Sequence, residues 1–102
     1  VVDGAIRDLA TIGKGSFPVF ARAAYHRGPY KNGPGDINVP VSIGGMIVSP
    51  GDIVVGDHDG IVAFPAEQAE ELLQRCLGTE QKEAEMMAQI ASGTYKGAYG
   101  AK

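Results

Sequence analysis

The chain has 102 residues, a formal net charge of −3 and a hydrophobic content of 44%, values typical of one small globular domain. The acidic balance argues against direct nucleic-acid binding, because phosphate recognition needs a basic face. The single cysteine excludes an internal disulfide and fits a reducing compartment, and no apolar run reaches the roughly 20 residues of a membrane span. We therefore expect a cytoplasmic protein with neither a nucleic acid nor a membrane as a partner.

The chain opens on Val1 without a methionine or a basic leader, and its first residues are predicted to form a strand that runs at once into a turn. We expect residues 1–102 to be the C-terminal part of a single domain whose upstream half is absent from this chain. After the turn, residues 7–12 predict a short helix that ends at 13–16. Residues 17–21 predict a short buried strand, and the Gly- and Pro-rich residues 25–36 predict a long functional or interface loop.

The next part of the chain predicts four short strands divided by Gly-Asp and Pro-Gly turns. Ser49-Pro50-Gly51-Asp52 suits a type II turn. Asp57 and Asp59 resemble a metal-binding pair, but the glycines on either side favour a turn, and His58 between them is interpreted as a turn residue. The predicted strands are 38–43, 46–48, 53–55 and 61–64, which indicates a small antiparallel or mixed sheet.

A long helix is predicted from Pro65 through Ser92, because apolar residues recur at helical spacing. Gly78-Thr79 is expected to kink or split it. Glu83 falls seven residues after Cys76, on the apolar face if the helix continues, where a carboxylate needs a partner, a metal or water. The alternative is that a kink at Gly78 turns Glu83 outward. The tail 93–102 is predicted to be a loose end or an arm onto a neighbouring subunit.

The most informative pair is Arg7-Asp8, directly after the first strand. The carboxylate of Asp8 can hold a divalent cation, and the planar guanidinium of Arg7 can bind a carboxylate with two hydrogen bonds. Together they could serve a metal-assisted reaction on a 2-oxo acid. The alternative is a local ion pair, or an Asp that starts a helix after a turn.

Five ordered blocks of the sequence resemble the second half of the RraA-like family, which includes 4-hydroxy-4-methyl-2-oxoglutarate aldolases and regulators of ribonuclease E activity. The resemblance runs from Val1 to about Gly93. It implies an α/β fold of the swivelling β/β/α type, with a small mixed sheet and a long C-terminal helix, assembled as a homo-trimer or hexamer. The blocks are Val2–Asp8, Phe17–Arg22, Pro40–Gly45, Pro50–Asp57 and Asp59–Pro65.

The resemblance also implies an active site shared between subunits. By analogy, Arg7 binds the pyruvyl part of the substrate, Asp8 holds Mg²⁺ or Mn²⁺ largely through waters, and Glu83 completes a neighbouring subunit's site. A further Asp and a Gly-rich loop of the family motif would lie upstream of Val1. The implied activity is metal-dependent cleavage of 4-hydroxy-2-oxo diacids to pyruvate, with oxaloacetate decarboxylation as a side activity. The alternative is a non-catalytic regulator that binds and inhibits ribonuclease E.

Overall fold

The computed structural model describes residues 1–97, and these divide into two compact units. The first unit comprises Val1–Ala66 and contains all the strands described. The second begins at Glu67 and consists mainly of one long helix. No helix among the described residues is long and apolar enough to cross a membrane.

The first unit contains three two-stranded sheets and one short helix, α1, at Leu9–Ile12. Strands β1 and β2 are parallel, whereas β3 pairs with β4 and β5 pairs with β6 as antiparallel hairpins. This combination of parallel and antiparallel pairs agrees with the mixed α/β fold expected from the sequence. The strands are β1 Val2–Ile6, β2 Ala21–Ala24, β3 Val41–Ile43, β4 Met46–Val48, β5 Ile53–Gly56 and β6 Ile61–Phe64.

The expected strand at 17–21 is wrong. Strand β2 begins only at Ala21, and Phe17 is 81% exposed. The apolar residues before Ala21 instead form an irregular approach to the strand, from which the carbonyl of Phe20 accepts a 2.8 Å hydrogen bond from the Val2 amide. Residues 17–20 have the local pattern of a buried strand. They lie outside the sheet because the pairing of β2 with β1 begins only after them.

The type II turn expected at Ser49–Asp52 is confirmed. Gly51 has a φ of 90°, the left-handed value that the third position of a type II turn requires. The Asp52 amide donates to the Ser49 carbonyl at 3.1 Å, and the Asp52 carboxylate accepts from the Ser49 amide at 2.9 Å. This local network starts β5 at a defined residue.

The second unit carries helix α2, Ala69–Ala91, preceded by a single 3₁₀ turn at Ala66–Gln68. The expected break at Gly78 is wrong, because α2 is continuous through it. One interior glycine costs a helix only about 1 kcal/mol relative to alanine, and the hydroxyl of Thr79 donates to the Arg75 carbonyl at 3.1 Å rather than capping a new helix. Residues 98–102 of the expected tail lie outside the described residues.

Large apolar side chains remain accessible along most of the described chain, and no hydrophobic residue in 1–97 is buried. In the hairpin of β5 and β6, Val54, Val55 and Val62 are each about half exposed. Soluble proteins rarely leave that much contiguous apolar surface in water. Ile43, Val48 and Ile61 are partly buried and line an apolar depression of about 160 Å³ in the first unit.

Candidate functional site

Arg7 and Asp8 lie where β1 ends, beside the end of its parallel partner β2. Ile6 is in register with Ala24, and the Tyr25 amide donates to the Ile6 carbonyl at 2.8 Å, so the pairing extends one residue past β2. Because parallel strands end at the same edge, the residues that follow them lie close together. Ligands of open α/β sheets bind at that edge.

Asp8 adopts a left-handed backbone conformation, with φ 64° and ψ 33°. Its carbonyl accepts hydrogen bonds from the amides of Thr11 (3.1 Å) and Ile12 (3.0 Å), which starts α1. Its side chain makes no capping hydrogen bond. The helix-start interpretation therefore accounts for the backbone of Asp8 and leaves its carboxylate available for a ligand. Non-glycine residues held in this conformation cluster at functional sites.

The side chains of Arg7 and Asp8 form only a loose ion pair. The Nε of Arg7 lies 3.7 Å from Oδ2 of Asp8, and the two side chains are 50% and 70% exposed. Exposed pairs of this kind contribute about 0–1 kcal/mol to stability. The local-pair interpretation is geometrically correct, but a contact this weak leaves both groups free to bind something stronger.

The guanidinium of Arg7 lies close to the backbone of Gly28. A Cβ at Gly28 would lie 3.1 Å from an Nη atom of Arg7, so the guanidinium occupies space that a side chain at position 28 would claim. From the sequence, Gly28 is expected only to be part of the Gly- and Pro-rich loop 25–36. The relationship becomes visible once β1 and β2 are known to be paired.

Tyr25 and His26 share a shallow depression with Arg7 and Asp8. The depression has a volume of about 240 Å³ and is completed by Leu9 and Ala24. The rings of Tyr25 and His26 contact each other, with centroids 4.7 Å apart and planes inclined by 49°. Sequence reasoning missed both aromatic residues; the available signal was their position at the start of the long loop directly after β2.

Asp3, the second residue of β1, links this strand to two other parts of the first unit. Its Oδ1 accepts a hydrogen bond from Nε of Arg22 in β2, and its Oδ2 accepts one from the Gly44 amide at 3.1 Å. The hydrogen bond from Arg22 and then that from Gly44 hold the pKa of Asp3 below its usual value. The same pairing raises the pKa of Arg22. Asp3 therefore joins β1, β2 and the β3–β4 turn.

Asp57 and Asp59 form a turn, as the glycines around them predict. Oδ1 of Asp57 accepts from the amides of Asp59 (2.8 Å) and Gly60 (3.2 Å), and the Asp57 amide donates to the Gly60 carbonyl at 2.9 Å. The Asp57 carboxylate is thus committed to its own backbone.

Glu83 belongs to the second unit and lies on the uninterrupted helix α2. It lines a depression of about 300 Å³ on the helix surface together with Leu72, Cys76 and Thr79, which is the face the seven-residue spacing predicts. Helix α2 is not split at Gly78, and Glu83 lines the same depression as Cys76. Glu83 is nevertheless exposed at this face. Its position relative to Arg7 and Asp8 stays a prediction.

Asp8 is the candidate cation ligand within the described part of the chain. No group of three His, Cys, Asp or Glu side chains in residues 1–97 is close enough together to hold a metal ion. Mg²⁺ commonly uses one or two carboxylates and keeps several waters, so a single free carboxylate in an open depression suits it. Mn²⁺ prefers the same oxygen ligands.

The chain belongs to the RraA-like family. The family's sequence profile, described as Aldolase/RraA, matches residues 1–63, which contain Arg7, Asp8, Tyr25 and His26. A protein named putative 4-hydroxy-4-methyl-2-oxoglutarate aldolase from Halalkalibacterium halodurans is 47% identical over 75 residues, covering 74% of this chain and 36% of that protein. An uncharacterized protein of Methanocaldococcus jannaschii is 37% identical over 93 residues, covering 91% of this chain and 45% of its own length.

A solved structure is similar to most of this chain. The crystal structure of an uncharacterized protein from Pseudomonas syringae pv. tomato superposes with a TM-score of 0.79 at 32% identity, covering 90% of this chain and 46% of that one. The chain therefore spans less than half the length of each of these three relatives. The fold and family expected from the sequence are confirmed.

Proposed function

We propose that the protein containing this chain is a divalent-metal-dependent lyase that cleaves 4-hydroxy-4-methyl-2-oxoglutarate and similar 4-hydroxy-2-oxo acids to pyruvate. Oxaloacetate decarboxylation at the same site would be a side activity, because both reactions pass through a pyruvate enolate. The observation that carries the proposal is the free carboxylate of Asp8 beside the guanidinium of Arg7 at the edge of a parallel strand pair. The aldolase name of the Halalkalibacterium relative supports it.

Asp8 would hold Mg²⁺ or Mn²⁺ through its carboxylate oxygens. When bound, such a cation supplies Lewis-acid stabilisation for the negative charge that develops on the 2-oxo group. Arg7 would bind the substrate carboxylate and add a fixed positive charge near the same oxygens. Its closeness to the Gly28 backbone supports this role, because the absence of a side chain at position 28 leaves room for the guanidinium at this edge.

Glu83 would complete the site of a neighbouring subunit in a homo-trimer or hexamer. The apolar surface left exposed by both units supports assembly with further protein. Light scattering of the intact protein should give three or six subunits. A monomer at micromolar concentration would remove the shared-site role of Glu83.

The deciding experiment is a coupled pyruvate assay of the intact protein with 4-hydroxy-4-methyl-2-oxoglutarate, with and without a chelator. We expect pyruvate release that chelation abolishes and that added Mg²⁺ or Mn²⁺ restores. Pyruvate release that survives full chelation would contradict the metal-dependent mechanism. If no pyruvate is released under any condition, the lyase proposal fails, and inhibition of ribonuclease E becomes the function to test.

A further inference from the structure

The depression at the ends of β1 and β2 has two walls, and the proposed chemistry uses only one. Arg7 and Asp8 follow β1, whereas Tyr25 and His26 follow β2. The 2.8 Å hydrogen bond from the Tyr25 amide to the Ile6 carbonyl fixes the second wall one residue past the paired strands. Tyr25 and His26 therefore line the same depression as Arg7 and Asp8.

The polar atoms of the second wall have no partners in the described structure. Among residues 1–97, neither the ring nitrogens of His26 nor the hydroxyl of Tyr25 makes a hydrogen bond. The ring of Tyr25 lies beside the imidazole, with ring centroids 4.7 Å apart. An imidazole in either charge state can donate an N–H to an anion at this wall.

A 2-oxo diacid presents two carboxylates, and in the proposed function Arg7 binds one of them while Asp8 holds the cation. Among the described residues that line the depression, Arg7 is the one arginine or lysine. A distal carboxylate bound in this depression therefore needs a second donor. His26, on the second wall, has ring nitrogens that can donate an N–H to it.

We propose that His26 is a specificity-determining residue that binds the distal carboxylate of a 2-oxo diacid, with Tyr25 holding its ring in place. The inference rests on the proposed function for the role of Arg7, and it adds the residue that selects diacids over monoacids. It is the register of β1 and β2 that brings His26 to the site.

The test uses two 2-oxo acids of equal chain length, 2-oxoglutarate and 2-oxopentanoate, which differ only in the distal carboxylate. Their binding to the intact protein is measured by calorimetry in the presence of Mg²⁺. We expect the wild-type protein to prefer 2-oxoglutarate. His26→Ala should weaken 2-oxoglutarate binding by roughly tenfold or more, the effect typical of losing a hydrogen bond to a charged group, and should leave 2-oxopentanoate binding within about twofold.

Two further variants separate a specific contact from a general effect. His26→Gln keeps an N–H donor and should recover part of the preference for the diacid. Arg27→Ala removes a neighbouring positive charge that does not line the depression and should leave the preference unchanged. Equal losses for both ligands in His26→Ala, a loss of preference in Arg27→Ala, or no preference in the wild-type protein would each overturn the assignment.

The outcome is distinguishable from failure of the proposed function. A preference for 2-oxoglutarate that depends on His26, in a protein that releases no pyruvate, would support a diacid-binding site and contradict only the lyase reaction. Pyruvate release by a protein whose preference for 2-oxoglutarate does not depend on His26 would support the lyase reaction and contradict the role of His26.

Discussion

Asp3 and Arg22 join two parallel strands through a charged hydrogen bond, in which Nε of Arg22 donates to Oδ1 of Asp3. The second oxygen of Asp3 accepts from the Gly44 amide in the β3–β4 turn. One carboxylate thus connects the two strands whose ends carry Arg7–Asp8 and Tyr25–His26 to a hairpin far along the chain. Because its pKa is lowered in the folded state, its contribution to stability depends on pH.

The first prediction concerns this pH dependence. A carboxyl whose pKa is lowered by folding stabilises the protein above its unfolded-state pKa, and the contribution is lost as the pH falls through the lower folded-state pKa. The usual value for Asp3 is 3.8. The melting temperature of the intact wild-type protein should therefore exceed that of Asp3→Asn at neutral pH, and the difference should shrink as the pH falls below about 3.8.

Asp36→Asn is the control for this comparison, because Asp36 makes no ion pair within residues 1–97. The melting temperature of Asp36→Asn at neutral pH should equal that of the wild-type protein. A difference between wild type and Asp3→Asn that is constant from neutral to acidic pH would contradict the assigned role of the Asp3 carboxylate.

The second prediction concerns Arg7 and Asp8. Arg7→Ala should reduce kcat/KM for pyruvate release by about 10²–10³-fold, equivalent to about 2.7–4 kcal/mol, as is typical of losing one preoriented charge-stabilising donor. Asp8→Ala should remove activity because the cation loses its protein ligand. Arg7 is largely exposed, so Arg7→Ala should change the melting temperature little, whereas Asp8→Ala also places alanine in a left-handed backbone conformation and should lower it modestly. Substantial activity in Asp8→Ala at saturating Mg²⁺ would contradict the metal-holding role.

The third prediction uses the close approach of Gly28 to Arg7. Gly28→Ala adds a Cβ 3.1 Å from an Nη atom of Arg7, so the exposed guanidinium must move. We expect a lower kcat/KM with little change in the melting temperature, since a flexible side chain yields rather than the backbone. Gly35→Ala in the same loop is the matched control, because nothing lies within 4 Å of its added Cβ. Equal activity in the two variants would show that the position of Arg7 does not depend on Gly28.

The fourth prediction concerns Glu83 on helix α2. Glu83→Ala should lower activity while the protein stays folded and assembled, because alanine is favourable in a helix. Glu85→Ala, two residues along and on another face of the helix, is the control and should keep wild-type activity; it loses only an exposed hydrogen bond from Gln81. Activity assays and light scattering on both variants decide the matter. A drop of the same size in both would indicate a general effect on the helix.

The fifth prediction compares two glycines by stability. A Cβ at Gly56 in β5 would lie 2.6 Å from Cζ of Phe20, so Gly56→Ala should destabilise the intact protein by about 1–3 kcal/mol through overpacking. Gly78→Ala, in α2, meets nothing within 4 Å and should stabilise it by about 0.5–1 kcal/mol through helix propensity. Denaturant unfolding measures both. A Phe20→Leu change that does not relieve Gly56→Ala would contradict the proposed clash.

Features that depend on near neighbours in the chain were predictable from the sequence. Pro50-Gly51 predicted a type II turn, and the left-handed φ of Gly51 confirms it. The glycines around Asp57 predicted a turn that the side chain of Asp57 closes. In both cases the stabilising groups lie within three residues of one another, so the local sequence contains all the atoms that matter.

Features that depend on distant residues were decided by tertiary structure. Residues 17–21 had the apolar pattern of a strand, yet β2 begins at Ala21, because its hydrogen-bonding partner is β1 and the register of that pairing selects its residues. Gly78 was a plausible helix break, yet α2 continues through it. The glycine costs the helix only about 1 kcal/mol relative to alanine, and the residues on both sides of it favour the helix.

The candidate site shows the same division. The Arg7-Asp8 pair, as a metal and carboxylate site, could be proposed from adjacent residues and family resemblance alone. The other wall of the depression could not, because Tyr25 and His26 are nearly twenty residues away and join the site only when β1 and β2 pair in parallel. Strand pairing joins residues that are distant in the chain, and the local pattern around Arg7-Asp8 does not show which strand will pair. The sequence by itself therefore determined the residue types from which the chemistry of this site is proposed, while the tertiary structure decided which side chains share it.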